Sequence, residues 1–524
     1  MTLPVNDYDE LHVISDLHLG GRPGFQIFGS TGELAWLIDY LRQCPADRRI
    51  ALLINGDFVD FLAQSPALPF DPEGAIDKLT AIANDDTFRP IFDALRRFAG
   101  QDNRYLVVNL GNHDLELALP WVREAIVNLL SGGNPAARGR ITLATDGAGI
   151  ALRIGSSRVL CVHGNEVDTW NVADHEQIRR IGRDYTQGRP VEEWVPNSGS
   201  QLVAEVMNPI KKDYPFIDLL KPELPAVFPT LIALKPSVVG QLAKLGPTVT
   251  RLAWDSVRRA TGFLDADPLA GTPDAASQAA APVAGGPSLR VLRQQRLDLA
   301  RDLLDRTENH WRDDSTPFDL VTADQRGEYV GILGAIGKLV TGQGTQEALR
   351  DALDGLDDDR TFASDEEDGT YRDLDQMIGS EIDFLIAGHT HLERALKRRR
   401  GRGYYFNSGT WARLIQIPAE LRRDAAKFAE LFERMKAGRH GGTGWHTAAT
   451  KRNVTEKFRR VGVAGGRIDH RRTAPGGRGS GRRFRATARC RHAIFVNLTG
   501  EWPCAPSPWN CCGMGRRTTS FCRR

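Results

Sequence analysis

Residues 11–18 read LHVISDLH: a short apolar run, 11–15, followed at once by a carboxylate, Asp16, and two positions later by an imidazole, His18. The same phrase returns along the chain. Residues 50–54 (IALLI) lead into Asn55, Gly56 and Asp57, and residues 105–108 (YLVV) lead towards Gly111, Asn112, His113 and Asp114. Residues 159–162 (VLCV) lead into His163 and Gly164, and residues 384–387 (FLIA) into Gly388, His389, Thr390 and His391. Short apolar runs bounded by glycine and polar residues have the length and composition of buried strands. Between them, residues 31–43 and 86–98 repeat their apolar positions at helical period. This strand, polar loop and helix rhythm predicts an α/β layered fold, in which ligands gather beyond the carboxyl ends of the strands.

The chain has 524 residues, more than one simple domain usually holds, so two units or one unit with a large insertion is expected. With 41% hydrophobic and 26% charged residues it has ordinary globular composition, which excludes wholesale disorder and a fibrous protein. No apolar run approaches the roughly 18 residues of a membrane-spanning helix. The start of the chain, with Asp7, Asp9 and Glu10, lacks the basic and apolar regions of a signal peptide. The chain therefore reads as cytoplasmic, with peripheral membrane contact left open.

The formal charge of +2 joins two opposite regions. Residues 451–524 hold 18 Lys and Arg against three acidic residues, a balance of +15, while residues 1–450 hold 50 against 63, a balance of −13. Such a tail has the charge to hold nucleic acid or anionic lipid, but its Gly, Arg and Pro content without periodicity reads as a disordered or aberrant terminus. Five of the seven cysteines crowd into it, and Cys504, Cys511, Cys512 and Cys522 lack the paired spacing of a structural zinc site. No function is assigned to it.

The expected organisation is a catalytic core in two parts, residues 1–164 and 381–450, separated by a mostly helical insertion or cap over 165–380. Within the insertion, residues 214–259 mix prolines with apolar segments, 265–287 have the Ala, Pro, Gly and Ser content of a flexible linker, and 289–311 and 327–356 have helical spacing. It contains no second cluster of catalytic residues.

The five polar patches belong together: each follows an expected strand, and five of the twelve histidines fall in them. Asp and His suit Mn, Fe, Zn or Co, and one carboxylate can bridge two ions. Alternation of Asp16 with His18, and of His389 with His391, would put each pair on one side of an extended segment. Two ions about 4 Å apart can hold a phosphate and activate a water for in-line displacement.

The series D-x-H, G-D-x-x-D, G-N-H-D, H-G and G-H-T-H resembles the calcineurin-like metallophosphoesterase superfamily over about residues 10–164 and 380–415. The resemblance implies an α/β two-sheet sandwich flanked by helices, with a dinuclear site at the sheet edges and a large mostly helical insertion outside it. It implies that Asp16, His18 and His391 hold the first metal, that Asp57 bridges, and that Asn112, His163 and His389 hold the second. His113 would contact the scissile phosphate and Asp114 would help to orient it, with Asp60 either orienting a ligand or His113 or capping a turn. Asn407, Ser408, Gly409 and Thr410 would support the site floor.

The expected cofactors are two divalent ions, Mn, Fe or Zn, and the expected partner is a small phosphorylated substrate: a phosphodiester, a phosphomonoester or a pyrophosphate. The opening I-S-D-L-H-L-G is also similar to the bacterial hydrolases of UDP-2,3-diacylglucosamine, whose helical insertion accommodates acyl chains. That similarity would make the insertion a lipid contact. Those enzymes carry Arg where this chain has His113, and H-G-D where it has His163, Gly164 and Asn165. A DNA nuclease would use the same metals and would put the basic tail to use, whereas a non-catalytic scaffold would show decayed ligands.

Overall fold

In a computed structural model of the chain, the described residues are 6–238, 345–354 and 362–437, apart from isolated positions, together with short strands between 489 and 498. They fall into two compact units, the first drawn from Met1–Ser200, Phe362–Arg413 and Lys457–Arg524, the second from Gln201–Thr361 and Leu414–Glu456. The linker expected at 265–287 and the helix expected at 289–311 lie outside the described residues.

The first unit is a sandwich of two sheets. One contains β2 (Glu10–Ile14), β3 (Ile50–Asn55), β4 (Arg104–Asn109) and β5 (Ile141–Ala144), side by side and parallel. The other runs β1 (Asn6–Tyr8), β6 (Ile150–Ile154), β7 (Ser157–Cys161), β8 (Phe384–Ala387), β10 (Tyr404–Asn407) and β9 (Arg394–Lys397), with β7, β8 and β10 parallel. An edge strand, Val496–Leu498, pairs antiparallel with β2. This differs from the expectation for the tail: the apolar residues among 493–498 carry strand propensity that the basic composition around them conceals.

Period-two alternation explains the layering. Leu11 and Val13 of β2, Ala51 and Leu53 of β3, and Val107 of β4 meet Leu152, Ile154, Val159, Cys161, Phe384 and Ile386 of the other sheet in one buried layer. The alternate residues Ile14, Leu52, Ile54, Leu106 and Val108 face a second core, built with α1 (Thr31–Arg42), α2 (Ala75–Asn84), α3 (Arg89–Gly100) and α4 (Pro120–Ser131). Because both faces of the parallel sheet are covered, its strands read as unbroken apolar runs. The amphipathic α3 shows how its helices dock: Ile91, Phe92, Leu95 and Phe98 lie on the buried stripe, with Pro90 in the first turn where its missing N–H costs nothing. On the far side of the other sheet, Leu385, Ala387 and Tyr405 pack against Tyr371 and Leu374 of the helix Gly369–Met377.

Residues 165–200 and 362–380, expected within the insertion, lie in this first unit. After the short α5 (Pro135–Arg138), α6 (His175–Thr186) buries Ile178 and Ile181 in the helical core. The described parts of the second unit are helical, including Glu223–Leu234, Thr345–Asp354 and Ala425–Lys436, with an isolated bridge between Leu220 and Ile415. Residues 414–437, expected within the core, belong to it. Among the described residues no helix is long and apolar enough to cross a membrane.

One buried group gives the fold a pH signature. Glu116 is buried, and desolvation raises its carboxyl to about 8, although its Oε1 accepts a hydrogen bond from the Asp71 amide at 3.0 Å. A folded-state pKa above the ordinary 4.5 means that the native chain holds this proton more tightly than the unfolded chain does. Stability from this group is therefore present in acid and declines as pH rises from 4.5 towards 8. Glu116→Gln should flatten that part of the stability profile, measured by denaturant unfolding at several pH values.

Candidate metal centre

The loops after β2, β3, β4, β7 and β8 converge beyond the carboxyl ends of the parallel strands. Asp16, His18, Asp57 and His391 each bring one ligand atom to a common point, these atoms all lying within 4.8 Å of one another. Asp16 Oδ1 is 3.4 Å from His391 Nε2, and His18 Nε2 is 3.5 Å from Asp57 Oδ2 and 2.9 Å from His391 Nε2. Two ligand atoms on one ion at about 2.1 Å stand about 3.0–3.4 Å apart, so these separations are those of a shared coordination sphere. His18 Nδ1 lies 3.2 Å from Asp60 Oδ2, so an ionised Asp60 makes Nδ1 the N–H side and leaves Nε2 with its lone pair in the neutral ring.

On the other side of Asp57, His163 Nε2 lies 3.3 Å from the same Oδ2. Its Nδ1 donates to the Asn55 carbonyl at 2.8 Å, which fixes the tautomer. Asn112 Oδ1 and His163 Nε2 are both buried without a hydrogen-bond partner, as acceptors awaiting a cation would be. The His389 ring centroid is 5.4 Å from that of His163, and its Nε2 meets Asp168 Oδ2 at 2.8 Å, which leaves the lone pair of the neutral ring at Nδ1. The donor set is therefore chemically suited to divalent ions on both sides of Asp57.

The backbone differs from the extended alternation expected of D-x-H and H-T-H. Asp16, His18, Asp57, His389 and His391 have φ of 52°, 46°, 51°, 69° and 62°; among the described residues Asn103 is the one other non-glycine residue in this left-handed region. Each such residue costs about 1–3 kcal/mol and persists where its surroundings over-determine it. The constraints are visible: the His18 amide donates to the Asp57 carbonyl at 2.9 Å, and the His389 amide to Asp16 Oδ1 at 3.0 Å. Thr410 Oγ1 donates to the Asp16 carbonyl at 2.7 Å, Ser15 Oγ donates to Asp16 Oδ2, and Asn407 Nδ2 donates to the Gly388 carbonyl at 2.6 Å. The segment 407–410 thus holds the loops beneath the site.

His113 stands beside the cluster rather than inside it, its side chain 17% exposed against 2% for His18 and 0% for His163. Its Nδ1 is 3.2 Å from Asp60 Oδ1, so Asp60 braces His18 and His113 together, and Oδ1 also accepts the Ala63 amide at 2.9 Å. Both readings of Asp60, orienting residue and turn cap, describe real contacts. Asp114 makes a different contact from the one expected. Its Oδ1 accepts the Gly111 amide at 2.7 Å and its Oδ2 the Phe58 amide at 2.8 Å, so it ties the β3 and β4 loops together while Asp60 holds His113. The reason is local: Asp114 is fully buried and opens a short 3-10 turn at Leu115–Ala118, where inward backbone amides compete for it.

Charge at the site is arranged around the histidines. Burial alone would raise the Asp57 carboxyl, but His163, His113 and His18 outweigh it and hold it well below the usual range. Burial likewise opposes ionisation of Asp60, and His113 and His18 overcome it. Burial depresses His163, yet Asp57 and Asp16 take it up to about 10, a measure of how strongly this locus favours positive charge. Burial and then Asp57 push Asp114 up to about 7.

This constellation defines a metal-dependent hydrolase. Residues 11–220 match the family model for calcineurin-like phosphoesterases, a domain that marks the chain as a metal-dependent phosphoesterase. No curated protein and no solved structure matches the chain. The G-H-T-H motif lies outside the matched residues, and the fold itself delivers it to Asp16. In sequence, Asp168 and Asn171, just beyond His163, read equally as shaping the pocket or capping the next helix; the contact of Asp168 with His389 is visible only in the fold.

The motif glycines are steric requirements. A Cβ on Gly111 would collide with the Asp57 carboxylate and backbone, whereas Gly100, ending α3, has open space around it. Gly111→Ala should cost about 1–3 kcal/mol and displace Asp57, lowering metal content. Gly100→Ala should leave both unchanged, as read by denaturant unfolding and metal analysis.

Proposed function

We propose that this site is a dinuclear centre at which water cleaves a phosphoester bond of a small phosphorylated substrate. The observation that carries it is the single oxygen Asp57 Oδ2, which lies 3.5 Å from His18 Nε2 and 3.3 Å from His163 Nε2 and so belongs to both ligand sets. Asp16, His18 and His391 would hold one cation with Asp57; Asn112, His163 and His389 would hold the other. When bound, paired divalent cations neutralise phosphoryl oxygens and make a water acidic enough to attack near neutral pH.

The chain's own residues do the rest. His113, with Nδ1 braced on Asp60, presents Nε2 to the phosphate, where it stabilises developing charge or delivers a proton to the leaving oxygen. Asp60, held ionised, faces His113 Nδ1 as an acceptor. Asp114 keeps the two loops in register. Mn, Fe and Zn all accept this mixture of carboxylate, amide and imidazole donors.

Chelation should abolish hydrolysis and Mn restore it, with two ions per chain by elemental analysis. The same preparation, offered matched phosphomonoester, phosphodiester, UDP-sugar pyrophosphate and single-stranded DNA substrates, reads the substrate class from initial rates. Asp57→Asn should remove most turnover together with bound metal; near-normal turnover with both ions retained would overturn the bridge. His113→Ala should lower turnover about 10²–10⁴-fold with metal content intact, and an emptied site would make His113 a ligand instead.

A further inference from the structure

The loop after His163 carries a polar chain outside the five motifs. Asp168 Oδ2 meets His389 Nε2 at 2.8 Å and accepts from Asn171 Nδ2 at 2.8 Å, while Asp168 Oδ1 accepts the Trp170 amide at 2.9 Å. Asn171 Oδ1 in turn accepts from Asn112 Nδ2 at 3.4 Å. The loop is itself anchored, since Asn165 Nδ2 donates to the Asn171 carbonyl at 3.1 Å and the Gly199 amide to the Trp170 carbonyl at 2.8 Å.

The chemistry of this chain runs one way. An ionised carboxylate only accepts, so its partners must turn donors towards it. His389 is therefore N–H at Nε2, with its lone pair at Nδ1. Asn171 must turn its NH₂ to Asp168 and hence its carbonyl to Asn112. Asn112 must answer with its NH₂, which leaves Oδ1, the buried atom without a partner, as its acceptor. One carboxylate thus decides which atom two different residues offer.

We infer that Asp168, acting directly on His389 and through Asn171 on Asn112, is the positioning residue that presents His389 Nδ1 and Asn112 Oδ1 to the second cation. This rests on the dinuclear reading above and adds a division of labour to it. The first set, Asp16, His18 and His391, has a different side-chain brace, Asp60 on His18. An amide at 168 would remove the polarity: it could rotate to donate as well as accept, and neither His389 nor Asn112 would be held to one orientation.

The test is stepwise Mn binding to metal-free wild-type and Asp168→Asn chains by equilibrium dialysis, beside the melting temperature of each metal-free chain. Wild type should take two equivalents. In Asp168→Asn the second should bind about 10- to 100-fold more weakly, the first and the metal-free melting temperature staying as in wild type. Asn171→Leu, which leaves the Asp168–His389 contact in place, should weaken the same equivalent by less. Two equivalents bound as tightly in Asp168→Asn as in wild type would overturn this inference alone. Loss of both equivalents with a lowered metal-free melting temperature would give Asp168 a folding role and overturn it equally. A wild type that never takes a second equivalent would overturn the dinuclear reading and this inference with it.

Discussion

Asp57 Oδ2 sits between His18 Nε2 and His163 Nε2, and holding those three atoms together is the constraint on which the rest of the first unit depends. His18 and His163 come from different sheets, after β2 and β7, and Asp57 from a third loop. Nothing but the sandwich brings them into contact. The two sheets must therefore pack in one register, and the buried layer of Leu11, Val13, Leu53, Ile154, Val159 and Ile386 supplies it. A layer of interdigitated side chains has few alternative arrangements, so apolar packing sets distances that the polar atoms alone would not hold.

The site also opposes folding locally. It gathers carboxylates and imidazoles out of water and bends five of the ligand-bearing residues into the left-handed region. Desolvation of Asp57 and Asp60 is offset by the histidines facing them, and backbone strain is offset by bonds such as Thr410 to Asp16 and the His389 amide to Asp16. These offsets come from segments far apart in sequence, Ser15 and Asp16 leaning on Asn407 to Thr410. The site is stable only as a whole.

That separation explains what could be read beforehand. Apolar runs such as IALLI and FLIA need only local pattern, and the loops that end them carry Asp16, Asp57, His163 and His389 in plain view. Left-handed φ at Asp16 and His18 could not be read, because D-x-H looks extended until tertiary bonds turn it. Asp60 was visible as part of G-D-x-x-D, but its grip on two histidines needs the β2 and β4 loops side by side. The resemblance gave Asp114 the role of orienting His113, whereas burial turned its carboxylate inwards to Gly111 and Phe58. Residues 165–200 read as insertion because no further short apolar strand follows His163 until 384–387, yet Ile178 and Ile181 are enough to seat α6 in the helical core.

The two halves of the centre differ in how far their supports lie from the motifs. His18 is braced by Asp60, itself a member of the G-D-x-x-D motif. His389 and Asn112 are braced by Asp168 and Asn171, which belong to no motif and sit on a loop tied down by Asn165 and Gly199. Substitution in that loop can alter the second half without touching a ligand. The five motifs therefore supply the candidate donor atoms, while the loop beyond His163 supplies the contacts that orient His389 and Asn112.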